Sequence, residues 1–206
     1  MAAGSGTRFG RAKQYEKLGD RRVLDHALEP ARAVSEGIVL VVPPDTAGRR
    51  EAGVDAVVPG GATRSESVRA GLAAVPGEAD VVLVHDAARP LATTALFEAV
   101  VAAVRDGADA AIPGVAVANT VKRVKGTEVV GTVDRADLVE VQTPQGFRAS
   151  ALRAAHAGEP DATDDAALVE AAGGRVVVVP GEPSNLKLTH PHDLAVARVL
   201  LEEGRA

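Results

Sequence analysis

Short β-branched runs alternate along this chain with longer alanine-rich amphipathic segments, and that alternation constrains the fold more than any other feature. Ile38 to Val42, Asp55 to Val58, Val81 to His85, Ala110 to Ile112 and Arg175 to Val179 are runs made almost wholly of apolar residues. Strands of that kind are buried on both faces, so they belong to a parallel sheet covered by helices rather than to an antiparallel sheet with one wet side. Between them Val23 to Ser35, Ser65 to Val75, Thr94 to Arg105, Asp164 to Ala172 and Pro191 to Glu203 repeat apolar residues at spacings of three and four, which predicts helices. Thr63 and Glu66 form a capping box ahead of the second. Gly107 and Gly173 stand where helix C-terminal glycines belong. The fold class read from this pattern is α/β, a mostly parallel sheet with flanking helices.

Residues from about 115 to 142 break the alternation: VAVANTVKRV, KGTEVVGTVDR and LVEVQT read as short strands joined by turn residues with no helix between them. They predict a protruding β-arm with its tip at Lys125-Gly126. An arm that cannot cover both of its faces on its own body packs against a partner, so a homodimer is expected. The full length of 206 residues suits one domain, 1–206, carrying the arm as an appendage.

With no cysteine in the chain, thiol nucleophiles, thiolate zinc sites and iron–sulfur clusters are excluded, leaving oxygen, nitrogen and phosphate chemistry. An aromatic content of 2% and a net charge of −5 leave little for stacking on bases or gripping a polyanion, so no nucleic-acid partner is expected. The apolar stretches fall short of the ~20 residues of a membrane span, and the expected setting is the cytoplasm.

The chain opens Met-Ala-Ala-Gly-Ser-Gly-Thr-Arg-Phe-Gly, small residues that let backbone N–H groups approach a phosphate. The spacing fits neither a Walker A loop nor the dinucleotide fingerprint. Arg8 and Lys13 raise the loop above an ordinary tight turn, because fixed cations beside such a loop suit phosphoryl or nucleotidyl transfer. No strand precedes the loop, although loops of this kind normally follow a central one, so the sheet is expected to lack its first strand. Further along, VVLVHDAARP ends a buried strand in His85-Asp86 with Arg89 beyond it, at the end of a sheet where ligands bind. Asp86 there suits a divalent cation or a helix cap, and His85 suits local packing. Gly60 to Ser67 places a turn, Arg64 and hydroxyls at a helix start, either a cap or an anion site. Asp164 and Asp165 read as a cap with a first-turn acid, His190 and His192 as a helix start, and Lys187 alone as a surface lysine.

Taken together, AAGSGTR at 2–8, KQY at 13–15, HDAARP at 85–90, TVDR at 132–135, QTPQGF at 142–147, TDDA at 163–166 and NLKLT at 185–189 resemble the 2-C-methyl-D-erythritol 4-phosphate cytidylyltransferase family. The resemblance implies a Rossmann-like fold and a Mg²⁺-dependent transfer of CMP from CTP to the sugar-alcohol phosphate. It implies that Arg8 and Lys13 contact the triphosphate, that Ala3, Gly4, Ser5 and Gly6 form the nucleotide loop, and that Gly61, Arg64 and Ser67 line the cytosine and ribose side. Asp86 would lie near the ribose and the metal. Arg89, Thr143, Thr163 and Lys187 would face the acceptor, with Lys187 holding the attacking phosphate. Thr120 and Arg135, on the arm, would reach the neighbouring subunit's site. A ribitol 5-phosphate cytidylyltransferase and a noncatalytic CTP-binding domain are the alternatives; a dinucleotide dehydrogenase fails on loop spacing.

Overall fold

The computed structural model describes residues 1–4, 6 and 9–204. After a 3₁₀ turn at Lys13–Tyr15 and the ribbon of β1 (Lys17–Leu18) and β2 (Arg21–Arg22), the chain runs through α1 (Val23–Val34), β3 (Val39–Val42), β4 (Ala56–Pro59), α2 (Arg64–Ala73), β5 (Val81–Val84) and α3 (Thr94–Arg105). It continues through β6 (Ala110–Ala116), β7 (Val121–Lys125), β8 (Glu128–Val133), β9 (Val139–Val141), β10 (Gln145–Arg148), α4 (Ala149–Ala155), α5 (Asp165–Ala171), β11 (Val176–Pro180) and α6 (Pro191–Glu202).

The main sheet has the order β11-β6-β10-β5, with β9 on the upper part of β6, while β3 and β4 pair in parallel beside it. Since β10 runs antiparallel to both β5 and β6, those two point the same way, and β11 is parallel to β6. Alternation along β5 assigns the layers. Val81 and Leu83 pack with Val100 and Val104 of α3, and Val82 and Val84 face the opposite cluster built on α2, α4 and α5. On β3, Leu40 and Val42 meet Leu24, Ala27 and Leu28 of α1. Thus α1 and α3 cover one face and α2, α4 and α5 the other, the double cover that continuous apolar strands require.

Among the described residues β5 and β3 share no ladder. Met1 and Ala2 bridge them: the Met1 N–H donates to His85 O (2.5 Å), Ala87 N–H to Met1 O (2.9 Å) and Ala2 N–H to Val41 O (2.7 Å). The next rung would need a donor at Pro43, which has none, and Gln14 Nε2 donates to Ala2 O instead at 2.9 Å. From this bridge the chain goes to β3 on one side and comes back to β5 on the other, the switch-point arrangement that opens a crevice at the carboxyl ends of strands.

The long segment after β6 forms the hairpin β7–β8, turning at Gly126 with φ of +61°. Sequence reasoning missed β10 and α4: Gln-Gly-Phe-Arg lacks alternation, and α4 is a brief alanine-rich turn pair. The sheet makes a strand of residues 145–148 because they fill the gap between β5 and β6, where Phe147 is wholly buried.

Candidate active site

The crevice lies above the ends of β5 and β4, facing the N-terminal loop. Two of its walls touch through glycines. A Cβ on Gly60 would come within 2.5 Å of Ala3 Cβ and 2.8 Å of Ser67 Oγ, so only glycine lets the loop after β4 lie against Ala3. Gly6 has φ of +67° and accepts backbone N–H groups from Phe9 and Gly10 at 2.9 and 2.8 Å, a left-handed turn that glycine adopts without strain. Gly4 lies open beside it. Ser5 and Arg8 lie outside the described residues.

The capping box at α2 is as expected: Glu66 N–H donates to Thr63 Oγ1 at 3.1 Å, and Glu66 Oε2 accepts from Ala62 N–H at 2.6 Å. Ser67 serves the same turn, its Oγ accepting from Gly61 N–H at 3.1 Å and donating to Thr63 O at 2.9 Å. Gly61 and Ser67 therefore shape the wall by knitting it together.

At the head of β5, Asp86 Oδ2 pairs with Lys187 Nζ at 2.6 Å, and Asp86 N–H donates to Thr143 Oγ1 at 3.0 Å. Burial would push the Asp86 carboxyl up, but Lys187, Arg64 and the Met1 ammonium together more than offset it, and the group is held well below the usual carboxylate range. Leu188 ties the Lys187 segment down by donating its N–H to Ala88 O at 2.8 Å, while Leu188 O accepts from Lys13 Nζ at 2.6 Å. Lys13 and Lys187 are thereby brought to neighbouring points of one segment. Arg89 spans the other side, donating from Nη1 to Asn185 O at 2.6 Å and from Nη2 to Val141 O at 3.2 Å. The buried amides of Gln142 and Asn185 hold this corner, Asn185 Nδ2 donating to Gln142 Oε1 at 3.2 Å and to Thr143 O at 3.0 Å.

Thr143 Oγ1 also meets His85 Nδ1 at 3.1 Å, and His85 Nε2 lies 3.2 Å from Arg89 O. Since Oγ1 already accepts from Asp86, it donates to Nδ1, and Nε2 carries the ring proton for the carbonyl. His85 is thus a neutral spacer, and desolvation first, then nearby positive charge, pushes it down to about 3. Between the ordinary value near 6.5 and that value the unfolded chain binds a proton here that the folded chain refuses, so stability falls as pH falls. The expected slope is ~1.4 kcal/mol per pH unit. Urea unfolding at pH 7 and pH 5 should show it in the wild type and not in His85→Gln; parallel curves would count against the assignment.

Arg64 pairs with Asp165 Oδ2 at 2.7 Å. Thr163 is exposed beside this pair, on a loop fastened to α2 by Ala162 N–H donating to Ser65 Oγ at 3.2 Å. Arg135 donates to Val117 O at 3.0 Å and to Ala118 O, contacts that keep it on the arm near Thr120. The structure therefore gathers Lys13, Gly61, Arg64, Ser67, Asp86, Arg89, Thr143, Thr163 and Lys187 around one crevice and leaves Thr120 and Arg135 on the arm. His190 and His192 stack at 5.5 Å at the start of α6, where His190 N–H donates to Asp193 Oδ2 at 2.7 Å.

Sequence reasoning missed Gln142, Asn185 and the inward turn of Asp165. Asp164 caps α5, accepting Ala167 N–H at 2.9 Å, but Asp165 is completely buried instead of lying on the exposed first turn. The signal was present: Asp165 stands one helical turn before Leu168 and Val169, both buried.

The sequence profile of the 2-C-methyl-D-erythritol 4-phosphate cytidylyltransferase family matches residues 1–203. The chain is 46% identical over 227 aligned residues to the 2-C-methyl-D-erythritol 4-phosphate cytidylyltransferase of Streptomyces coelicolor, covering 99% of this chain and 84% of that one. Its fold is similar to the crystal structure of 2-C-methyl-D-erythritol 4-phosphate cytidylyltransferase from Thermus thermophilus, with a TM-score of 0.82 at 36% identity over 92% of this chain and 94% of that one. It is equally similar in TM-score, 0.82 at 30% identity, to 4-diphosphocytidyl-2C-methyl-D-erythritol synthase from Anaerococcus prevotii, over 98% and 95% of the two chains.

Proposed function

This chain belongs to the 2-C-methyl-D-erythritol 4-phosphate cytidylyltransferase family, and from that premise we propose how its crevice divides the work of the reaction. The enzyme transfers CMP from CTP to 2-C-methyl-D-erythritol 4-phosphate in isoprenoid synthesis. An oxygen of the acceptor phosphate forms a bond to the α-phosphorus, the bond from that phosphorus to the oxygen bridging the β-phosphate breaks, and the electron pair departs on pyrophosphate. The acceptor phosphate is already anionic at neutral pH, so the protein supplies alignment and charge stabilisation rather than a base.

The observation that carries this reading is the Lys187–Asp86 pair at the end of β5, with Lys13 held on the adjoining Leu188 carbonyl. Lys187 holds the acceptor phosphate in line. Lys13 and Arg8 take the triphosphate, the loop at Ala3, Gly4, Ser5 and Gly6 cradles it, and Gly61, Arg64 and Ser67 form the base and ribose wall. Arg89, Thr143 and Thr163 line the acceptor side.

Among the described residues no cluster of three or more metal-ligating side chains is gathered. Asp86 nonetheless fits a magnesium ion carried by CTP, because such an ion takes one or two carboxylates and fills its other positions with phosphate oxygens and water. When bound, Mg²⁺ neutralises charge on the phosphates, and Asp86, kept ionised beside Lys187, would hold it.

The arm supports a homodimer. Val124, Val129 and Val130 are exposed on the hairpin and Leu138 and Val139 where the chain returns from it to the main sheet, apolar area that a second copy of the chain would cover, bringing Thr120 and Arg135 to the partner's crevice. Pyrophosphate release with CTP and either 2-C-methyl-D-erythritol 4-phosphate or ribitol 5-phosphate tests the acceptor, and faster turnover of ribitol 5-phosphate would overturn it. CTP binding without turnover would mark a noncatalytic domain. Loss of activity in Arg135→Ala, regained by mixing with a Lys187→Ala chain, is the result expected of shared sites.

A further inference from the structure

Three helix ends meet at one carboxylate. Asp165, the first residue of α5, has no exposed surface; its Oδ2 lies 2.7 Å from Arg64 at the first turn of α2, and its Oδ1 lies 3.0 Å from Nε2 of His156, which caps α4. We infer that Asp165, oriented by His156, is a positioning residue that fixes the Arg64 guanidinium for the nucleotide. This rests on the assignment of Arg64 to the nucleotide wall.

A carboxylate taken wholly out of water is costly unless paired, so the Arg64 side chain cannot swing toward solvent without leaving a bare charge inside the protein. His156 occupies the other oxygen, and Oδ2 meets Arg64 Nη1 as an ion pair whose N–H is not aligned for a hydrogen bond, so charge rather than a hydrogen bond holds the guanidinium. The guanidinium is not consumed by this pairing. It keeps 28% of its side-chain surface exposed, and as the first residue of α2 it follows directly on the Gly60–Thr63 turn that lies against Ala3. A planar cation with five N–H donors, anchored through one end, presents the remainder in a set direction. A solvent-exposed arginine at a helix start would instead spread over many rotamers, and a nucleotide would have to order it on binding.

Calorimetric binding of CTP alone, which is not consumed without the acceptor, gives the test together with steady-state kinetics. Asp165→Asn keeps the shape and removes the charge; it should weaken CTP binding ~10-fold and raise KM for CTP alike, with KM for the acceptor and kcat changed less than ~3-fold. In an Arg64→Ala background Asp165→Asn should add nothing to the loss of CTP affinity, since its effect runs through Arg64. Additive losses, or equal rises in both KM values, would overturn the inference. If Arg64→Ala itself leaves CTP binding unchanged, the assignment of Arg64 fails; if Arg64→Ala weakens CTP and Asp165→Asn does not, the positioning role alone fails. Should Asp165→Asn not fold, His156→Gln reads the same point, with a ~3-fold loss of CTP affinity expected and again none in the Arg64→Ala background; an unchanged affinity in the Arg64 protein would be the contrary result.

Discussion

Replacing Lys187 by alanine is expected to lower kcat/KM for CMP transfer by ~10²–10³-fold, the usual effect of deleting one donor to developing charge in a phosphate-handling site. The substitution removes the cation assigned to the attacking phosphate and also strands Asp86, whose partner at 2.6 Å is Lys187 Nζ. The same change has a signature in acid. In the wild type Asp86 is depressed in the folded state, so its pairing contributes stability above the unfolded value near 3.9, lost only as pH falls through the folded value. Without Lys187, burial pushes the carboxyl up against only the more distant Arg64 and Met1 ammonium, and the contribution shrinks. Pyrophosphate release measures the first effect and unfolding at about pH 5 and about pH 3, on either side of the unfolded value, the second. A rate within threefold of wild type would remove Lys187 from the reaction.

Phe97→Ala should cost about 3–5 kcal/mol of stability, a large part of the 5–15 kcal/mol that holds a domain together. Phe97 has no exposed surface and joins α3 to Leu83 of β5 and to Ala31 and Val34 of α1. Its ring also lies 5.0 Å from that of His85, so the cavity opens directly beneath the β5 end that carries the site. Chemical unfolding gives the magnitude, and a loss below 1 kcal/mol would show that α3 closes over the gap. Activity of the surviving folded fraction should fall as well, because His85 holds the Thr143 hydroxyl that in turn accepts the Asp86 N–H.

The helices and parallel strands were legible because burial on one face or both forces the corresponding period on the sequence. Periodicity placed α3 at the observed Thr94–Arg105 and set the other predicted helices within two residues at each end. Strand β10 was not legible, because Gln145 and Gly146 are chosen by what surrounds them in the folded sheet. Much of the crevice could also be read as words along the chain, since glycines, cations and acids near strand ends have few structural uses. Gln142 and Asn185 stood inside recognised words but were given no role, because buried amides look like surface amides until their partners are known.

By itself the sequence determined the alternation of layers, the position of the crevice at the carboxyl ends of the strands and the charge types that line it, all consequences of local periodicity and composition. Only the tertiary structure decided which charges pair. Asp86 meets Lys187 from 101 residues away, and Arg64 meets Asp165 across the gap between α2 and α5. Such pairings are set by where the sheet brings strand and helix ends together, and an isolated lysine or aspartate carries no mark in its neighbours of the partner it will find.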